Sequence, residues 1–326
     1  MANKFLKPTV IARATVGLLY RDLVVAKTLW TDAIDPGEFS GALSDTVTMR
    51  VPARRTARKR TLRAGTAITN DVSNEFGVPV QLTTDVYNGA PITDEELTLD
   101  ITDFATQVLS PQVRAVVDGI EDEAVDVIEN ATYLGSMTLD PTDAEFVVGG
   151  KTDWYLVAAR AAKLLDKQNV PADDRYLLVG ADVKEQIIVD DRFARFDAIG
   201  PEVTDALRRR SIGMIAEFMV VPTTSIDDDV AYAYHRTAFV LATRAPLVPR
   251  GATFGQVQQA GARAGSPGYY GGVSVRWLMD YDYTNTTDRS LVNAWVGTAV
   301  VNDPITPTDP NSLSHLVRAV AIRSGS

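Results

Sequence analysis

Residues 46–65 read TVTMRVPARRTARKRTLRAG, and this stretch decides how the rest of the chain is read. Thr46–Val51 alternates strand-forming residues with the period of two that a strand requires. The chain then enters a run with seven basic residues and no acid: Arg50, Arg54, Arg55, Arg58, Lys59, Arg60 and Arg63. A second strand-like segment, VPVQLTTDV, follows at Val78–Val86. Two strands flanking a charged tip predict a long β-hairpin. A tip so basic and so poor in apolar residues does not pack into its own core, because an unpaired buried charge is too costly. It is solvated, or it meets an acidic surface.

The same chain supplies an acidic surface. Over residues 103–131, Val113, Val117, Ile120, Ala124, Val127 and Ile128 recur at helical spacing and form one apolar stripe. Asp118, Glu121, Asp122, Glu123, Asp126 and Glu129 occupy the remaining face. The acids continue into the last turn, where the helix dipole disfavours them. That small penalty points to a basic partner, although a solvated acidic face is the ordinary reading of a charge run. The hairpin tip has no aromatic residue on which a base could stack. Contact between identical chains is therefore favoured over nucleic acid. A DNA-binding role for the 50–63 arm stays open as an alternative, marked by a steep salt dependence.

Outward from these two elements the chain is mixed. Residues 1–42 carry Ile11, Val16, Leu19, Leu23, Val24 and Trp30, then the breaker-rich DPGEFSG at 35–41. This segment reads as an arm packing outside its own domain, or as an N-terminal helix on its own core. Residues 152–168 predict a second helix with Trp154, Val157, Ala161, Leu164 and Leu165 on one side. Strand and helix segments then alternate: Arg175–Val179, Ala181–Val189, Val203–Arg210, Met219–Val221 and Ala231–Ala242. Residues 251–272 are Gly-rich and loop-like. A strand follows at Val273–Tyr283, then a turn, then a strand at Leu291–Val301. The tail 302–326 opens with the Pro-rich NDPITPTDPN and ends in SLSHLVRAVAIR, which fits helix and strand equally. The class is α+β rather than a regular βαβ series.

Signals for chemistry are weak. The 326 residues are 45% hydrophobic and 23% charged, with net charge −10, no cysteine and two histidines, His235 and His315. Thiolate chemistry and Cys-ligated zinc are excluded. Gly149-Gly150-Lys151-Thr152 follows a strand-like FVV, but the position that must be glycine in a phosphate loop is Glu145. A Gly-Gly turn with Thr152 capping the next helix is expected. Asp227-Asp228-Asp229 lacks the spacing and the glycine of a calcium loop and reads as a solvated turn. His235 reads as a satisfied structural histidine. The triplets at Asn130 and Asn285 carry no meaning without a secretory route. No catalytic residue, metal ligand or cofactor is expected, and the chain is read as a non-enzyme. Neither a signal peptide nor a bilayer-spanning run is apparent, so synthesis in a bacterial host cytoplasm is expected, with no membrane partner.

The order of parts resembles the major capsid proteins of tailed bacteriophages with the Hong Kong 97 fold. The local stretches that carry the resemblance are GMIAEFMVV at 213–221 followed by Pro222, YHRTAF at 234–239, VSVRWLMDYD at 273–282, and NAWVG at 293–297. The resemblance covers nearly the whole chain. It implies an N-terminal arm (1–42), an extended loop (43–92), and a peripheral domain (93–150 and 251–302) with a spine helix at 103–131. It also implies an axial domain (151–250) and a C-terminal extension (303–326). Asp227, Asp228 and Asp229 are then expected at the capsomer axis. The implied role is self-assembly into hexamers and pentamers of an icosahedral shell in the virion. That shell would enclose double-stranded DNA without sequence-specific binding. A separate scaffolding protein, a portal and in some lineages a decoration protein are the implied partners. Some members of the family cross-link Lys to Asn. Lys59 is the only lysine in the loop and has no evident partners, so no cross-link is expected. A nanocompartment shell of the encapsulin type is the alternative within the same fold.

Overall fold

The computed structural model describes residues 23–32, 34, 46–51, 57–62, 67–68, 76–96, 104–139, 147–148, 151–189, 213–252, 254–260, 273–282, 284, 287–304 and 314–324. In chain order its elements begin with β1 (Thr46–Val51), β2 (Phe76–Gln81), β3 (Thr84–Thr93), α1 (Ser110–Glu129), β4 (Tyr133–Leu139), β5 (Val147–Val148) and β6 (Lys151–Thr152). Next come α2 (Trp154–Lys167), β7 (Arg175–Val179), α3 (Ala181–Val189), β8 (Met214–Ile215), β9 (Phe218–Pro222), β10 (Val230–His235) and β11 (Phe239–Arg244). The last are β12 (Phe254–Ala260), β13 (Val273–Asp282), β14 (Thr287–Val300), β15 (Asp303–Pro304) and β16 (Ser314–Ser324).

Helix α1 forms where the apolar stripe predicts it, preceded by a π-helical turn at Ala105–Leu109 and started by Pro111, whose fixed φ suits a first turn. Val113, Val117, Ile120, Ala124 and Ile128 are all buried. They face two sheets. One has five strands, in the order β11-β14-β13-β12, with β3 on the opposite side of β14. Its inward residues Val292, Ala294 and Val296 alternate along β14, as a half-buried strand should. The other sheet has β4, β16, β10, β7, β9 and β8 in sequence, with β15 paired to the start of β16. It is covered on both faces. Tyr176, Leu178, Tyr232 and Tyr234 join the α1 core. Leu177, Val179, Ala231 and Ala233 join a second core beneath α2 and α3. This explains why β7 and β10 are buried at every position instead of alternating. At about 1.5–3 kcal/mol per buried aliphatic side chain, these two cores dominate the favourable side of folding.

Several expectations from sequence are corrected. Ala231–Ala242 is not one strand. It breaks at a 3-10 turn, Arg236–Ala238, and β10 and β11 lie in different sheets. Part of the Gly-rich 251–272 segment is strand: β12 pairs with β13 from Phe254↔Met279 to Ala260↔Val273. The tail is not an appendage. Its last segment is strand β16, hydrogen-bonded to β10 on one side and β4 on the other. Leu316, Val317, Ala319, Val320, Ala321 and Ile322 are all buried there, a two-sided burial that suits a central strand. Sheet membership does not follow chain order. β11 belongs to the sheet of β13 and β14, whereas β4 and β16 belong to that of β7 and β10. Asp153, not Thr152, caps α2, accepting from the Leu156 amide at 3.1 Å. The segment Val203–Arg210 lies outside the described residues.

One buried charge organises the second core. The Arg175 side chain is fully buried and donates to Val170 O and Pro171 O, and to the carboxylates of Asp166 (2.7 Å) and Glu217 (3.0 Å). Glu217 and its neighbour Ala216 both have positive φ, in the two-residue turn between β8 and β9. The ion pair therefore fastens a turn that non-glycine residues adopt at a cost.

Candidate inter-subunit contact surfaces

The basic hairpin has the predicted strands. β1 and β2 pair antiparallel from Thr46↔Gln81 to Val51↔Phe76. Their root is anchored: Met49, Val78 and Val80 are buried against Ile34, Val240, Ala242 and Val301. The second strand ends at Gln81 rather than at Val86, because the chain steps over β14 and starts β3. Thr83 N–H donates to Val296 O at 3.1 Å at this step. Gly297 makes the crossing feasible, since a Cβ there would lie 2.1 Å from Gln81 O. Beyond the root, Arg50, Arg58, Lys59, Arg60 and Leu62 are exposed. Arg54, Arg55 and Arg63 lie outside the described residues.

The acidic face of α1 is smaller than its sequence implies. Asp118, Asp122 and Asp126 are exposed, while Glu123 and Glu129 are half-buried. Glu121 is a correction. It is buried inside the chain, with only 9% of its surface exposed. Its carboxylate accepts the amides of Val24, Val25 (2.8 Å) and Ala26 (3.3 Å), the start of a 3-10 turn at Ala26–Thr28. Burial pushes this carboxyl above its usual range, against the three backbone donors and Lys27, which pull it down. Sequence reasoning missed this role because i, i+3 and i+4 spacing places Glu121 beside Asp118 and Asp122. Only the segment lying across the helix distinguishes it.

That segment is residues 23–32. Leu23, Val25, Ala26 and Leu29 are buried on the α1 core. Thr28 Oγ1 meets the Tyr234 hydroxyl at 2.5 Å, and Trp30 bridges β11 through Phe239 O and the Leu241 amide. Arg236 holds Asp32 at 2.7 Å. This part of the expected arm therefore packs on the chain's own core. Residues 1–22 lie outside the described residues.

The end of α1 finds a base within the chain. The Glu129 carboxyl is raised by burial, then by Asp227 and Asp126, and Arg323 of β16 opposes the shift. The turn Asp227–Asp229 thus brings Asp227 within electrostatic reach of the C-terminal end of α1. Its Asp228 carbonyl accepts the Asp182 and Val183 amides and so caps α3. His235 is a structural histidine as expected. Its Nδ1 accepts the Thr237 amide at 3.2 Å, which leaves the ring proton on Nε2. Burial, then Arg318, lowers its basicity. Asn293, on β14, is engaged on both sides, donating to Asp85 and accepting from Arg276, each at 3.0 Å. Among the described residues no group of His, Asp or Glu could hold a metal ion, and no helix is long and apolar enough to cross a membrane.

No protein-family profile and no curated protein sequence matches the chain. Solved structures do. A chain of Mycobacterium phage Che8 aligns at TM-score 0.59 and 18% identity, over 92% of this chain and 91% of that one. A chain of the capsid of cyanophage P-SCSP1u aligns at TM-score 0.56 and 11% identity, over 87% and 85%. A chain of the mature capsid of bacteriophage PhiM1 aligns at TM-score 0.51 and 12% identity, over 87% and 83%. The chain has the fold of these phage chains.

Proposed function

We propose that this chain is a major capsid protein of a tailed phage, a subunit that assembles into hexamers and pentamers of a closed shell around double-stranded DNA. The observation that carries the reading is the agreement of fold over 83–92% of the length of both chains with chains of solved phage structures, two of them capsids. The Hong Kong 97 parts assign naturally. Residues 1–42 are the arm, β1 and β2 belong to the extended loop, α1 is the spine, the five-stranded sheet with β3 the peripheral domain, and the sheet of β7 and β10 with α2 and α3 the axial domain. β4 and β16 join the axial part, so strand β16 completes that domain. Asp227 is within electrostatic reach of Glu129 at the end of the spine helix, so on this reading the Asp227–Asp229 turn makes a contact within its own chain rather than at the capsomer axis.

Neighbouring subunits are joined, on this reading, by the basic tip of one copy on the exposed Asp118, Asp122 and Asp126 of another. Single exposed ion pairs contribute only ~0–1 kcal/mol, but a shell repeats each one across its lattice. A scaffolding protein, a portal and a decoration protein are partners of the whole particle. The test is electron microscopy of the expressed protein, alone and with a co-expressed scaffolding protein. Closed shells or tubes of uniform wall are expected. A monodisperse monomer in both conditions, with tight salt-sensitive binding to duplex DNA, would replace this reading with the DNA-binding one.

A further inference from the structure

We propose that residues 23–32 form a strap that Glu121 clips onto the spine helix, and that this strap is a removable wall of the groove receiving a neighbouring copy's basic tip. Strap docking and tip docking are then coupled. This inference rests on the shell-subunit reading.

The geometry joins the two events at one helical turn. Asp118 and Asp122 are i and i+4 on α1, so they share an edge, and Glu121 lies between them one step round. An open groove of about 450 Å³ is lined by Asp118, Glu121, Asp122, Lys184, Thr223 and Val24. Val24 belongs to the strap, and its amide is one of the three that Glu121 accepts. With the strap docked, Asp118 and Asp122 are exposed on the groove, while Glu121 between them is nearly covered and holds the Val24 amide at the groove's edge. With the strap lifted, Val24 leaves that edge and Glu121 is uncovered as a third exposed carboxylate. The strap edge of the groove is thus a property of the docked state.

The occupant follows from charge. Arg58, Lys59 and Arg60 are three consecutive exposed cations in the same chain, and a second copy presents them in every assembled particle. The groove has a net acidic lining, with Lys184 its one cation among the residues named. The strap is fastened at four points: Glu121 at its start, Tyr234 at Thr28, β11 at Trp30, and Arg236 at Asp32. At the first point, burial of a carboxylate opposes what the backbone donors favour. The Glu121 end is also the one at the groove, since Val24 lines it. Coupling of this kind is reciprocal: whatever the strap does for tip affinity, the tip does for strap docking.

The test uses the full chain carrying Arg58→Glu, Lys59→Glu and Arg60→Glu, so that its own tip does not compete. The probe is a fluorescent peptide of residues 48–65. The peptide should bind with an affinity that falls as salt rises, and should slow hydrogen exchange of the 24–26 amides. Asp118→Asn with Asp122→Asn should weaken it at least tenfold while the strap amides stay protected. Glu121→Ala should weaken it at least tenfold and also expose those amides. Should Glu121→Ala misfold, Asp32→Ala loosens the strap from its far end without touching helix or groove. Strap amides exposed with peptide affinity within twofold of the parent would overturn the coupling. Absence of peptide binding to the parent would overturn the groove itself. Closed particles seen in the same preparation without the three tip substitutions would show that the shell reading stands regardless.

Discussion

Replacing Gly297 with Ala tests the crossing on which the geometry of the hairpin root depends. The added Cβ would lie 2.1 Å from Gln81 O, 2.8 Å from Gln81 C and 3.1 Å from Leu82 Cα. All three are backbone atoms, so no rotamer change relieves the contact. The β2–β3 step must lift off β14, losing the bond from Thr83 N–H to Val296 O. Overpacking of this kind costs up to ~3 kcal/mol, and the lost hydrogen bond adds about 1 kcal/mol. The smaller unfolded-state entropy of alanine returns ~0.4–1 kcal/mol. The net is a destabilisation of about 3 kcal/mol, or roughly 6–12 °C in Tm. Gly251→Ala is the control. Nothing lies within 4 Å of its added Cβ, so its stability should stay within about 0.5 kcal/mol of the parent. Urea and thermal unfolding of the dissociated subunit, in the background with the three tip substitutions, measures both. If Gly297→Ala unfolds within about 0.5 kcal/mol of Gly251→Ala, the crossing is looser than described and the reasoning fails.

Arg175→Met should destabilise by about 2–4 kcal/mol, because Val170 O and Pro171 O lose their donor and the Ala216-Glu217 turn loses its fastening; urea unfolding reads this out. Truncation after Pro304 removes the strand between β10 and β4, so the product should be insoluble or lack a cooperative melt, and a soluble cooperative product would show the strand to be dispensable. His235 is held below its ordinary value of 6.5 by burial, then by Arg318, so the unfolded chain takes up the proton first. Its contribution is intact above pH 6.5 and is lost as pH falls through and below that value. The stability of the parent minus that of His235→Gln should therefore decline on acidification, and a flat difference refutes it. Charge reversal of Arg54, Arg55 and Arg58 should prevent assembly or make shells dissociate in salt, as seen by light scattering; shells unchanged at low and high salt rule out the tip contact.

Local periodicity is enough to find much of this fold. The α1 stripe, the limits of β7 and α3, the β1 strand and the long pair β13 and β14 all follow from which residues are apolar and at what spacing, because each buries a face whose period the sequence carries. The exposure of Arg58, Lys59 and Arg60 follows too, since charge in that density has no cheap burial. Features that depend on a partner distant in the chain were decided by tertiary structure alone. The segment SLSHLVRAVAIR is equally good helix or strand until β10 and β4 offer it two edges. Gly297 is one glycine among 22 until the β2–β3 step crosses it. Glu121 looks like Asp118 and Asp122 until residues 23–26, about a hundred positions away, bring three amides to it. The acidic helix first read as one surface is therefore two things: a row of exposed aspartates legible in sequence, and an internal clip that exists only because the chain folds back over it.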